Sequence, residues 1–457
     1  MPIPQRRSYR SPACTFAGLA LPVLLAACGG GSETPSTAPA PANCSVSEQK
    51  TRLGDYMNDW YFWYRLSPRP DAGAYASVES YFDALLYTGI DASFPRDRWS
   101  RSESTESFNR FFGDGSTLGY GVSVNGIEVS GLPNAPLLVR YVEPLSPAAV
   151  QGVRRGDRVL AINGRSAADI IASGNFSLLT PAQPGDVLTL RLLNGNTERT
   201  LAVTAREFML APVSIPAVVT SPLGRRLGYV LVKDMINQAL APLESAFAQF
   251  RAQGVEDVVL DLRYNGGGLV SVGAQLGSLV AGTRGSGRAY ATLLFNDQRA
   301  GSNNITFRFS SLSAALGLPR VFVLSGPRTC SASEQLINGL RGVGVEVVAI
   351  GDTSCGKPVG SLPTSACGRT YSVVNFESVN ERNEGRYFDG FGATCPVAED
   401  FSATLGAPAE PLLAAAGRYA DSNTCVPLAG QREQPQARRA RPLRAVDEGE
   451  QQGLVVR

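Results

Sequence analysis

From about residue 208 to 427, short apolar runs alternate with stretches of helical periodicity. The runs are 227–232 (LGYVLV), 258–262, 321–324 and 345–350, and 243–250 is an amphipathic helix between the first two. Strands that read as continuous apolar runs are buried on both faces. Strands separated by helices can pair in parallel, so this stretch predicts a layered α/β structure with a largely parallel sheet. Two of its strand ends carry unusual residues, and these direct the reading of function.

The first is Asp261-Leu262-Arg263-Tyr264-Asn265-Gly266-Gly267-Gly268. Three glycines after a buried strand make a bland turn. They also let a backbone approach a ligand closely, with N–H groups able to hold an oxyanion. The second is Cys330-Ser331-Ala332-Ser333-Glu334, followed by Leu336, Ile337 and Leu340 at helical spacing. Ser331 therefore stands where a strand turns into a helix. Ser331-x-x-Glu334 is a capping box, and capping alone would account for both residue types. A serine there also faces unpaired N–H groups and the positive end of the helix dipole, with the Ala332 amide next in line.

A serine nucleophile needs a base. The chain has no histidine, so Ser-His-Asp triads, Cys-His pairs and histidine metal sites are excluded. Arginine does not release its proton near neutral pH. The lysines are only Lys50, Lys233 and Lys357. Lys357 follows strand 345–350 in Cys355-Gly356-Lys357-Pro358, 26 residues beyond Ser331. One helix and one strand separate the two, which returns them to the same sheet edge. A free amine with a pKa near 10.4 is neutral about once in 2,500 at pH 7, so burial must lower it. A surface charge is the plain alternative for this lysine.

Residues 113–207 change to short alternating strands at 121–124, 137–142, 159–162 and 187–191. Between them lie Ser146-Pro147-Ala148-Ala149 and the string 156–164 (GDRVLAING). This pattern resembles a PDZ domain. That resemblance implies capture of an extended peptide by β-augmentation, with its carboxylate on the loop Gly119-Tyr120-Gly121. A turn between strands is the alternative.

DLRYNGGG, then SASE, then GK about 25 residues later resemble the S41 serine peptidases, the C-terminal (tail-specific) processing peptidases with an embedded PDZ domain. The resemblance covers about 44–427. It implies an α/β, crotonase- or ClpP-like peptidase core with an inserted PDZ-like β domain and a small N-terminal helical domain. It implies a Ser/Lys dyad of Ser331 as nucleophile and Lys357 as general base, an oxyanion hole from the Gly267 and Ala332 N–H groups, and no metal or other cofactor. Tail-specific members often carry Gln four residues past the lysine. Here that position is Ser361, whose hydroxyl is the candidate support for the amine.

The organisation expected is a signal peptide (1–27), a tether (28–43), a helical domain (44–112), a PDZ-like domain (113–207), the peptidase core (208–427) and a disordered tail (428–457). Arg6, Arg7 and Arg10 precede a short apolar stretch ending in Leu25-Ala26-Ala27-Cys28-Gly29. This resembles a bacterial lipobox, which implies cleavage before Cys28 and its lipidation. An ordinary signal peptide is the alternative. Gly29 is not the acidic residue that retains many lipoproteins in the inner membrane, so the expectation is a periplasm-facing protein anchored in the outer membrane. Leaving out Cys28, the exported chain holds Cys44, Cys330, Cys355, Cys367, Cys395 and Cys425. Up to three disulfides are expected, among 15 connectivities that spacing does not separate. A net charge of +2 carries no single-signed field for a nucleic acid.

The function expected is a serine endopeptidase acting on exported or unfolded polypeptides, with PDZ capture of a peptide or C-terminus. The alternatives are a peptide-binding lipoprotein that keeps the peptidase scaffold, and a zymogen blocked by 44–112 or by the PDZ domain. Oligomeric state is not readable.

Overall fold

The computed structural model describes residues 44–426 and 453–456. The expected signal peptide, Cys28, the tether and most of the expected tail lie outside them.

The central sheet has six strands in the order Val213–Thr220, Arg226–Val232, Asp257–Asp261, Arg320–Ser325, Glu346–Gly351 and Cys395–Pro396. The first is antiparallel to its neighbour and the remaining pairs are parallel. The strand period of two divides the interior. Val230, Val232, Val258, Leu260, Val321 and Val323 face a core closed by the helices Leu240–Ala252, Val270–Ala281 and Ala332–Gly342. Tyr229, Leu231, Val259, Phe322 and Leu324 face a second core, closed by the helix Pro411–Ser422. Both faces are covered, which is why the strands read as unbroken apolar runs.

The PDZ-like body has its own core, from Val122, Val139, Val159, Ile162, Leu188, Leu190 and Val203. Its main sheet carries Arg158–Ile162, Val187–Asn194 and Thr197–Thr204. Ahead of it, Val46–Trp60 and Val78–Leu85 are the two longer helices of the N-terminal region, followed by the short helix Thr105–Asn109. The aromatic run contributes core, with Tyr61 and Trp63 buried among Tyr87, Trp99 and Phe82. The all-helical reading of 44–112 needs correction at Arg101–Ser104, a strand paired antiparallel with Arg369–Ser372. Four residues with two serines carry no strand periodicity of their own, and the partner strand supplies the hydrogen bonds.

The tail reading also needs correction. Gly453–Val455 is a strand, parallel to Gly267–Leu269. A short apolar island, Gly-Leu-Val-Val, is diluted by the polar residues before it when composition is averaged.

Three disulfides select one connectivity: Cys44–Cys367, Cys330–Cys355 and Cys395–Cys425. The first ties the N-terminal region to the core across 323 residues of sequence. No helix among the described residues is long and apolar enough to cross a membrane.

Candidate active site

The carboxyl ends of Asp257–Asp261 and Arg320–Ser325 lie side by side in the sheet, and the two unusual loops leave from them. Asn265 joins the loops. Its Nδ2 donates to Val232 O at 2.9 Å and its Oδ1 accepts the Gly267 N–H at 2.8 Å. Its carbonyl accepts from Cys330 N–H at 3.0 Å and from Ser333 Oγ at 3.2 Å. Thr329 Oγ1 adds a bond to Leu262 O at 2.8 Å. Beneath the glycine loop, the buried Arg263 guanidinium holds Glu410 through two bonds of 2.7 and 3.0 Å and Asp261 through one of 2.9 Å.

Gly267 has φ +103°, and a Cβ there would lie 2.8 Å from Ser331 Cβ and 2.9 Å from the Ala332 nitrogen. The triplet's first positive-φ residue is thus glycine because the Ser331 loop occupies the space of a side chain. The expected oxyanion role of Gly267 meets a competitor, since its N–H is already committed to Asn265. The cause is local: an Asn side chain readily accepts from the amide two residues on.

Ser331 is fully buried with φ 65° and ψ −114°, outside the regions that non-glycine residues favour. Such a conformation costs about 1–3 kcal/mol and persists only where surroundings impose it. The expected capping box forms on one side: Ser331 N–H donates to Glu334 Oε2 at 2.9 Å. The Ser331 hydroxyl oxygen is buried with no hydrogen-bond partner among the described residues. Buried polar atoms are rarely left so, because the loss of water is not repaid.

Glu334, read from the sequence only as a cap, organises the site. Its buried carboxylate accepts from Ser331 N–H, Ser354 Oγ (2.5 Å), Gly356 N–H (2.7 Å) and Lys357 N–H (2.8 Å). Burial pushes its pKa up, against the pull of these donors. The Cys330–Cys355 bridge, with Cα atoms 5.1 Å apart, ties the same two loops. Cys330, Glu334 and Cys355 bring metal-ligand types within 4.8 Å, but the bridge leaves neither sulfur as a thiolate.

The three lysines differ. Lys50 Nζ donates to the Ala72 and Tyr75 carbonyls, both at 2.7 Å. Lys233 is buried beside Asp234, 3.6 Å away, and lies over the Tyr141 ring. Lys357 is 3% exposed, and no hydrogen bond or ion pair engages its amine among the described residues. Burial brings its pKa down to about 7, and the Arg101 charge adds to this, while Asp97 and Glu334 pull the other way. Arg101 and Asp97 come from the N-terminal region, and nothing local in the sequence marks them as neighbours of Lys357. Asp97 is held by Tyr61 Oη and Ser100 Oγ, both at 2.6 Å.

Ser331 and Lys357 are therefore brought to one carboxylate, though no hydrogen bond joins Oγ to Nζ. Ser361 does not take the expected part, because no bond links its hydroxyl to Lys357. Its backbone instead pairs with Leu454 and Val456. Gly119-Tyr120-Gly121 leads into the PDZ strand Val122–Val124. Tyr120 O and Gly121 O accept from Ala148 and Glu143 N–H, both at 2.9 Å. Arg328, three residues before Ser331, reaches this body through Val124 O at 3.4 Å and an ion pair with Glu128.

Comparison with known proteins gives three family models in chain order: the peptidase S41 N-terminal domain over 48–101, a PDZ domain over 138–172 and peptidase family S41 over 226–384. A carboxyl-terminal-processing protease of Picosynechococcus sp. is 27% identical over 259 residues, 55% of this chain and 59% of that protein. The chloroplastic carboxyl-terminal-processing peptidase 3 of Arabidopsis thaliana is 27% identical over 302 residues, 64% and 52% of the two chains. The chain thus spans about half to six-tenths of the length of these relatives. Among solved structures, a candidate S41 protease from Bacteroides fragilis superposes with a TM-score of 0.64 at 24% identity, covering 82% of this chain and 97% of that one. A photosystem II D1 C-terminal processing protease gives 0.50 at 19% identity, covering 78% and 94%. The fold is the one these structures share.

Proposed function

Because the chain belongs to peptidase family S41, we propose that it is a serine-type endopeptidase that hydrolyses polypeptides with Ser331 as nucleophile and Lys357 as general base. The observation that carries this reading is the pairing of an unpartnered, buried hydroxyl on a strained turn with a buried lysine whose pKa has fallen to about 7. At that value about half the amines are neutral at pH 7.

The neutral amine of Lys357 takes the proton from Ser331 Oγ as the oxygen attacks the peptide carbonyl. The developing oxyanion rests on the Ala332 N–H, and on the Gly267 N–H once that amide leaves Asn265. Collapse breaks the C–N bond, and Lys357 returns the proton to the departing amine. Water, deprotonated by the same lysine, then releases the acyl group from Ser331. An apo hydrogen bond between Oγ and Nζ is not a requirement, since such contacts tighten when substrate is bound.

The PDZ-like body is assigned capture of an extended peptide or C-terminus at 119–121. Arg328 would link that event to the Ser331 loop. Export, lipidation at Cys28 and a periplasm-facing position at the outer membrane complete the proposal and rest on residues 1–29.

The test is labelling by a fluorophosphonate together with casein hydrolysis. The native chain is expected to do both and Ser331→Ala neither. Failure of both across pH would leave the peptide-binding lipoprotein, which Ser361 in place of Gln favours.

A further inference from the structure

The groove beside Ser331 is already filled by the chain itself. Gly453–Val455 lies parallel to Gly267–Leu269, with Gly453 opposite Gly267, Leu454 opposite Gly268 and Val455 opposite Leu269. Gly453 N–H donates to Gly266 O at 3.2 Å. The other edge is bonded as well: Ser361 N–H donates to Leu454 O at 2.8 Å, and Val456 N–H to Ser361 O at 3.1 Å. Leu454 and Val455 are 0% and 1% exposed and join the core that includes Phe112.

The placement of one carbonyl is decisive. The Gly453 oxygen abuts the space that a Gly267 side chain would fill, and Ser331 Cβ and the Ala332 nitrogen border that same space. A Cβ on Gly453 would stand 2.9 Å from Val455 Cγ2 and would already touch Phe112 Cζ at 3.4 Å and Arg101 Nη2 at 3.8 Å, so no room is left beyond a Cβ for a large side chain.

We propose that Gly453–Val456 is an internal ligand of the catalytic groove, bound in cis as a substrate strand would be, so that the chain competes with its own substrates. The proposal rests on the peptidase reading for the groove's purpose. A strand of three residues has no stability of its own. Its position is therefore set by the groove, which supplies main-chain partners on both edges and an apolar floor. In sequence, 26 residues separate Val426 from Gly453, and that many can extend about 90 Å. A tethered ligand acts at a high effective concentration, independent of protein concentration.

Binding tests this without hydrolysis. A fluorescein-labelled peptide QQGLVVR, the sequence of 451–457, is titrated into Ser331→Ala and into Ser331→Ala with Leu454→Arg. The second form is expected to bind at least tenfold tighter, with the contrast unchanged on protein dilution. A peptide carrying Gly453→Trp is expected to bind at least tenfold more weakly. Equal affinity of the two forms, absence of binding to the opened one, or indifference to the Gly453→Trp change would overturn the assignment. A chain ending at residue 450 serves if Leu454→Arg fails to fold, with the same expectations. The two readings fail separately. Tight binding to the opened form without fluorophosphonate labelling removes the peptidase and keeps the internal ligand. Labelling at equal rates in native and Leu454→Arg chains removes the ligand and keeps the peptidase.

Discussion

The main-chain N–H groups of Ser331 and Lys357 meet on a single oxygen, Oε2 of Glu334, at 2.9 and 2.8 Å. The loops that carry Ser331 and Lys357 are thus anchored on one carboxylate. Hydrogen bonds to a carboxylate are roughly twice as strong as neutral ones, so this is a firm anchor.

Glu334→Ala is expected to destabilise the fold by about 3–5 kcal/mol, because buried donors from four residues lose their acceptor. Thermal unfolding measures this. Activity should fall with it, and Glu334→Gln should recover part of the stability.

Activity should follow the Lys357 amine. In the proposed mechanism the neutral form is the base, so kcat/KM is expected to fall about tenfold per pH unit below about 7 and to level off above. Lys357→Arg should be inactive at every pH. A flat profile across pH 5–9 would contradict the mechanism.

The same amine has a signature in stability. Its folded pKa lies below the unfolded value of 10.5, so between about 7 and 10.5 the unfolded chain binds a proton that the folded chain lacks. Its contribution to stability therefore rises with pH across that window. Lys357→Met is expected to be inactive but more stable than the native chain near pH 7. The difference in Tm should shrink as pH approaches 10.5.

Ser331→Ala should abolish turnover while shifting stability by no more than about 0.5 kcal/mol, since the hydroxyl it removes has no partner to lose. Retained activity would remove Ser331 from its role.

Gly267→Ala places a Cβ against Ser331 and the Ala332 amide at φ +103°. A fall of more than a hundredfold in kcat/KM is expected, with about 1–3 kcal/mol lost in denaturant unfolding.

Replacing Cys330 and Cys355 by alanine frees a closed loop of 25 residues' separation. The chain-entropy estimate is a loss of roughly 3 kcal/mol. The bridge joins the Ser331 and Lys357 loops, so kcat should fall more than KM rises. A KM effect alone would show that the bridge only stabilises.

Much of the fold, and the two loops that meet at the candidate site, was legible because local chemistry wrote it. The apolar runs at 227–232, 258–262 and 321–324 declare buried strands, and the absence of histidine turns a serine at a helix mouth toward lysine. The glycines of 266–268 signal a backbone that must come close to something. Other features were quoted without their meaning. Asn265 stood in the motif, but its part in holding two loops depends on Val232 and Cys330, distant in sequence. Glu334 carried an ordinary capping signal that concealed its reach to residues 354–357.

Alone, the sequence determined periodicity, turn chemistry and the inventory of titratable groups, because these depend on residues a few positions apart. Only the tertiary structure decided which of 15 cysteine pairings holds, what surrounds Lys357 and what lies against Ser331. Desolvation and charge proximity are properties of assembled surroundings: Asp97 and Arg101 act on an amine some 260 residues away in sequence. The segment 453–456 shows the same limit, since four small apolar residues acquire meaning only from the groove that receives them.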